Sequence, residues 1–212
     1  MIRVLAVCGV LVVVGVQQII AQEKEKEKQS SNLRQYYSGK FGFYQPSKEL
    51  NNGLLFGVDG ITEFIHYDFT LTGAIDFYQK QTISVYQNPN GRVTQQAIVL
   101  IPLHASVGYK LLDVPDADTR FYAGVGGGYN LFFYNVEYVA TSGGLFGPVG
   151  TTRTESKNSG NVFFTAFLRV LIGRVFVEPR LYIASAKSEA LGGGTYTVDP
   201  SGFAITLGFQ YQ

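Results

Sequence analysis

The chain closes on "GFAITLGFQYQ", Gly202 to Gln212. Taken alternately, Phe203, Ile205, Leu207, Phe209 and Tyr211 fall on one side, and Gly202, Ala204, Thr206, Gly208 and Gln210 on the other. Period two is the signature of a β-strand. Chain ends usually fray. A terminal strand with one strongly apolar face therefore needs a partner for its backbone and a medium for that face.

The same alternation recurs upstream in seven further segments of about ten residues, the length a tilted strand needs to cross a bilayer. Residues 39–45 place Phe41 and Phe43 together. Residues 53–63 place Leu54, Phe56 and Val58 opposite Asp59 and Glu63. Residues 68–80 set Phe69, Leu71, Ile75 and Phe77 against Thr70, Thr72, Asp76, Tyr78 and Lys80. Residues 96–110 set Val99, Ile101, Leu103, Ala105, Val107 and Tyr109 against His104, Ser106, Gly108 and Lys110. Residues 119–134 oppose Phe121, Val125, Tyr129, Leu131 and Phe133 to Arg120, Tyr122, Gly124, Gly126, Gly128 and Asn130. Residues 161–171 oppose Val162, Phe164, Leu168 and Val170 to Thr165 and Arg169. Residues 174–184 oppose Val175, Val177, Leu181 and Ile183 to Arg174, Glu178 and Arg180.

The connections alternate in length. Those around Phe64–Tyr67 and Ile172–Gly173 are short and Leu111–Asp118 is moderate, whereas 46–52, 81–95, 135–160 and 185–201 are long and polar. A barrel crossing an outer membrane has this asymmetry, with short turns on the periplasmic side and long loops outside. An even number of strands puts both termini on the short-turn side.

A soluble ligand-binding barrel of the lipocalin kind would show the same alternation with its apolar face inward. The minority face separates the two. It carries Gly and Ala with isolated charges, which suits the narrow interior of a barrel of about eight strands better than a water-facing surface. The majority face is a belt of Val, Leu, Ile and Phe, where an Arg or Lys at mid-depth would cost about 2–4 kcal/mol. Phe64, Phe69, Tyr109, Phe121, Phe209 and Tyr211 fall near the short turns, and Phe77, Phe133 and Phe203 near the long loops, as two interfacial girdles would. An open sheet edge has no partners in lipid, so the last strand is expected to pair with the region around Phe41. The expected fold is all-β: an eight-stranded antiparallel up-and-down transmembrane β-barrel preceded by a cleavable signal peptide, located in the cell outer membrane.

The leader "MIRVLAVCGVLVVVGVQQIIAQ" has a positive start at Arg3, an apolar run from Val4 to Val16 and Ala21 as the last residue before cleavage. The run is shorter than the roughly 18 apolar residues of a spanning helix. Cys8, the single cysteine, lies inside it, so an exported chain has neither a disulfide framework nor a cysteine zinc site. The stretch "QEKEKEKQSSNLRQ", Gln22 to Gln35, cannot bury enough apolar surface to fold alone. The expected organisation is residues 1–21 as signal peptide, 22–36 as charged periplasmic tether and 37–212 as barrel. A formal charge of +1 with no basic block excludes nucleic acid as the expected partner.

"IPLHASVGYKL" (Ile101–Leu111), "RFYAGVGGGYN" (Arg120–Asn130), "VFVEPRLYIA" (Val175–Ala184) and the closing "AITLGFQYQ" resemble the small outer-membrane β-barrel domain family, the OmpA- and OmpW-like eight-stranded barrels of Gram-negative bacteria. The resemblance covers nearly the whole exported chain and implies fold and location. It also implies delivery by the barrel-insertion machinery. Many members end on Phe, whereas this chain ends on Tyr211 and Gln212.

"GVGGGY" (Gly124–Tyr129) has the look of a phosphate-binding loop, but such a loop opens a helix and here strand pattern continues on both sides. His104 and Ser106 share one face, as in a lipid-modifying barrel enzyme with a His-x-Ser element. Both fall on the expected lumen face, and spacing supplies no acidic group to orient the histidine. His66 and His104 are too far apart to suggest a metal site. No catalytic residue, metal or cofactor is expected. Asp59, Asp76, Arg169, Glu178 and Arg180 all point inward, where charges must be paired. A lumen ion-pair network that plugs the barrel is expected, with a narrow polar path as the alternative. "QNPNGR" (Gln87–Arg92) has alternating flanks and reads as a hairpin reaching beyond the membrane. The expected role is non-enzymatic: structural, or surface contact through extracellular loops by a monomer embedded in outer-membrane lipid. A narrow pore for small solutes is the alternative, and a lipid-modifying enzyme the third reading.

Overall fold

The computed structural model describes residues 33–46, 52–82, 86–88, 91–144, 147–185, 187–191 and 194–212. The expected signal peptide and most of the expected tether lie outside them. Among the described residues eleven strands follow in chain order: β1 (Leu33–Pro46), β2 (Gly53–Phe64), β3 (Phe69–Thr82), β4 (Tyr86–Asn88), β5 (Gly91–Val114), β6 (Thr119–Gly144), β7 (Gly147–Ile172), β8 (Val175–Ala184), β9 (Lys187–Leu191), β10 (Gly194–Val198) and β11 (Gly202–Tyr211). The wall runs β3-β2-β1-β11-β8-β7-β6-β5, and a β3–β5 pairing closes it into a ring of eight. The terminal strand is held on both edges: Phe41 pairs with Leu207 and Tyr37 with Tyr211, while Phe209 pairs with Val175. β1 begins before residue 37, although its pairing with β11 starts at Tyr37.

The alternation resolves into outside and inside. Phe163 is fully buried while its neighbour Phe164 is 67 % exposed; Phe43 and Val125 are 71 % and 66 % exposed. Leu71, Ile75, Val107, Leu168, Leu181 and Ile205 are exposed with them. An apolar exterior around a polar, filled interior, with the wall closed on itself, is the construction of an outer-membrane β-barrel and the inverse of a lipocalin. At the short-turn end Phe64 stacks on Phe69 with ring centroids 4.4 Å apart, and Tyr37 on Tyr211 at 5.9 Å.

Two connections differ from the sequence expectation. Leu111–Asp118 is mostly strand: β5 continues to Val114 past an irregularity at Leu111, and the turn is a short 3-10 segment, Pro115–Ala117. Asp118 then takes φ 43°, a left-handed conformation that Asp tolerates in turns. The described residues of the stretch 135–160, 135–144 and 147–160, are also strand and not loop. β6 and β7 remain paired from Thr119↔Ile172 to Gly144↔Gly147. Above the membrane neither face of a strand must be apolar, so the period-two signal fades while the backbone ladder continues. Within 185–201, β9 and β10 pair with each other antiparallel. The strands flanking "QNPNGR" pair as Gln87↔Arg92 and Asn88↔Gly91.

Candidate functional site

Among the described residues, the barrel interior is where the fold gathers buried charge. Asp59, Asp76, Arg169, Glu178 and Arg180 are all buried there, and two further residues complete a circuit with them: Lys40 and His104. Lys40 Nζ lies 2.8 Å from Asp59 Oδ1 and 2.9 Å from Asp76 Oδ1. Arg169 donates to Asp59 Oδ2 at 2.8 Å and, through Nε, to Glu178 Oε2 at 2.7 Å. Arg180 Nε donates to Glu178 Oε1 at 2.9 Å, and Arg180 also reaches His104 Nδ1 at 3.3 Å. His104 Nε2 closes the circuit on Asp76 Oδ2 at 3.0 Å. A guanidinium only donates, so Nδ1 of His104 accepts and Nε2 carries the proton. With a neutral imidazole the ring balances Lys40, Arg169 and Arg180 against Asp59, Asp76 and Glu178. Ser38 adds a hydrogen bond to Asp59 at 3.1 Å, and Tyr182 one to Asp76 at 2.9 Å.

Lys40 was within reach of the sequence. It sits between Gly39 and Phe41, on the face opposite Phe41 and Phe43. His104 falls on the lumen face, as alternation predicts, and links Asp76 to Arg180. It also bears on the His-x-Ser idea. Both ring nitrogens of His104 are occupied, so neither can take a proton from Ser106, whose hydroxyl has no hydrogen-bond partner among the described residues. Both side chains are buried in the lumen, away from lipid.

The lumen face carries more bulk than Gly, Ala and isolated charges. On one side of the charge ring, Tyr44, Leu55, Tyr78, Phe132, Tyr134, Phe163 and Tyr182 form a buried cluster. Tyr44 meets Tyr78 and Tyr182 edge-on at 5.3 and 5.6 Å. On the other side Tyr36 and Tyr122 donate to the two oxygens of Glu63, beside a cavity of about 10 Å³, space for roughly one water. The glycines make room for these rings. Gly124 lies against the Phe167 ring and Gly208 against Phe176, where an added Cβ would collide with each. Phe167 and Phe176 in turn carry Arg180 and Arg169 over their faces at 4.7 and 4.3 Å, a favourable cation–π geometry. Gly124–Tyr129 is thus continuous strand with its even-numbered glycines inward.

Gly208→Val is expected to destabilise the folded barrel by roughly 1–3 kcal/mol through overpacking, measured by thermal unfolding in detergent. The control is Gly73→Val, where an added Cβ meets nothing within 4 Å. It should leave stability unchanged or raise it.

No family model and no curated protein matches the chain. Among solved structures it is similar to Ail, the attachment invasion locus protein of Yersinia pestis, crystallised with the heparin analogue sucrose octasulfate, at 10 % identity over 84 % of this chain and 97 % of that one, with a TM-score of 0.44. It is similar to Neisserial surface protein A at 14 % identity over 85 % and 96 %, with a TM-score of 0.42. It is also similar to a major outer membrane protein from Thermus thermophilus at 12 % identity over 84 % and 100 %, with a TM-score of 0.48.

Proposed function

We propose that this outer-membrane barrel is a closed, non-enzymatic anchor that works at the cell surface, contributing envelope structure and presenting its extracellular hairpins to surface ligands. The observation that carries this reading is the length of three adjacent strands. β5, β6 and β7 have 24, 26 and 26 residues, where about 9–11 suffice to cross a bilayer. The segment of β6 from Asn135 to Gly144 alone adds roughly 30 Å of paired strand. Its cross-strand neighbours are polar: Asn135↔Ser156, Glu137↔Thr154 and Val139↔Thr152. The result is a solvated blade on a wall whose interior is filled. The protein acts as a monomer in outer-membrane lipid after delivery by the insertion machinery, and its charged lumen residues serve as a structural plug.

The purified barrel in planar bilayers is expected to be electrically silent. Defined, reproducible conductance steps would overturn the closed-lumen reading in favour of a narrow solute pore.

A further inference from the structure

Two prolines lie inside the wall, and each coincides with a gap in one ladder. β3 and β5 pair continuously from Phe69↔Tyr109 to Ile75↔Leu103, then resume in the same register at Tyr78↔Leu100. The missing rungs are those of Asp76 opposite Pro102 and Phe77 opposite Ile101. β7 and β8 pair from Phe163↔Ala184 to Phe167↔Arg180 and resume in register at Val170↔Val177. There the missing rungs are Leu168 opposite Pro179 and Arg169 opposite Glu178. On their other edges the prolines leave the ladders intact, at Pro102↔Asn130 and Ile205↔Pro179. Proline brings no N–H, so the lapse falls on the edge toward which that N–H would have pointed. In lipid, lost backbone pairing must be made good inside the protein.

The charge ring crosses both gaps. Asp76 and His104 join β3 to β5 beside Pro102. Arg169 and Glu178, which face each other at the second gap, join β7 to β8 beside Pro179. Thr165 of β7 also donates to the Leu181 carbonyl of β8 at 2.8 Å. A hollow of about 690 Å³ opens on the wall here, with Ala166, Leu168, Pro179 and Leu181 among its lining. β6 and β11, whose ladders run through this level without a gap, contribute no member to the ring.

We propose that the ring acts as two side-chain latches over two backbone seams. At this level the two seams divide the wall into β5-β6-β7, which carries the extracellular blade, and β8-β11-β1-β2-β3, while ladder pairing continues on both sides of each gap. The latches hold them together where the ladder does not. This is independent of whether the lumen conducts.

Amide hydrogen exchange of the full barrel in micelles, followed residue by residue by NMR, tests it. Among ladder amides at mid-depth, those that point across the two seams, Asp76 and Tyr78 toward β5 and Leu168 and Val170 toward β8, should exchange faster than Gly124 and Val125 on the uninterrupted β6. Arg169→Gln should speed exchange at Leu168 by roughly five- to tenfold or more, the factor a single hydrogen bond contributes, and leave Tyr78, which points across the other seam, unchanged. Asp76→Asn should do the reverse. Pro179→Ala should slow exchange at Leu168 alone, and should restore it in the Arg169→Gln background. If a ring variant does not fold, the wild-type profile and Pro179→Ala decide. Equal protection at seam and non-seam positions, or a ring substitution that speeds exchange uniformly around the barrel, would overturn the latch assignment.

Discussion

A chain lacking Phe209–Gln212 is expected to fail to assemble in the membrane. These residues supply the last rungs between β11 and β1, Gly39↔Phe209, Ser38↔Gln210 and Tyr37↔Tyr211. They also supply the end of the other edge, where Phe209 pairs with Val175 and Gln210 N–H donates to the Arg174 carbonyl at 2.7 Å. Their loss leaves the start of β1 without a neighbour on that side, at the level where Phe209, about half exposed, faces lipid. Each unpaired backbone group in hydrocarbon costs several kcal/mol, so the loss exceeds the roughly 5–15 kcal/mol by which folded proteins are typically stable. The Tyr37–Tyr211 stack at the interface goes with it. Membrane fractionation of cells expressing the truncated chain should show no urea-resistant barrel. Phe209→Leu, which keeps the rung and the apolar surface, should assemble normally. A truncated chain that still inserted would show that β11 does not close the wall.

The closing strand was legible because a membrane imposes two constraints together, on the backbone and on one face. Where lipid is absent the pattern weakens. "GPVGTTRTESKNSG", Gly147 to Gly160, has the Gly, Pro, Asn and Ser of a loop yet is strand almost throughout, held by its ladder with β6. The interior was legible in part. Alternation assigns Asp59 and Arg169 to the lumen, but only the stagger of the closed wall makes them neighbours, and they are 110 residues apart in sequence. Alternation also places Tyr78 and Tyr122 inward, and its parity puts Phe132, Phe163 and Phe176 on the same face, but their apolar character does not announce it. These phenylalanines were hidden because they adjoin outward aromatics or aliphatics, as Phe163 adjoins Phe164. The two ladder gaps could be suspected only from Pro102 and Pro179, since sequence does not say toward which neighbour a missing N–H would point.

Glu178→Gln is expected to be the most damaging conservative change within the ring. Glu178 is fully buried and receives Arg169 on one oxygen and Arg180 on the other. Glutamine keeps the shape but removes the charge, and leaves two guanidiniums converging on a neutral group. Arg169 retains Asp59, while Arg180 retains no carboxylate, keeping the Phe167 ring face and hydrogen bonds to His104 Nδ1 and Thr165 Oγ1 at 3.3 and 3.5 Å. Removing one partner of a buried pair costs about 3–5 kcal/mol, because the other charge stays buried and uncompensated. The loss should appear as a lowered midpoint of urea or thermal unfolding in micelles. Charge balance gives the diagnostic. Adding Arg180→Met removes the cation that Glu178 left without a carboxylate, so the double variant should be more stable than Glu178→Gln alone, a non-additivity of roughly 0.5–3 kcal/mol. The same substitution at an exposed pair should do little: Asp68, half exposed beside Lys110 at 2.9 Å, sits in the class of surface pairs worth about 0–1 kcal/mol. An unchanged midpoint for Glu178→Gln, or a double variant weaker than either single one, would mean that the ring does not hold the barrel together and that the aromatic layer beside it carries the stability of the lumen.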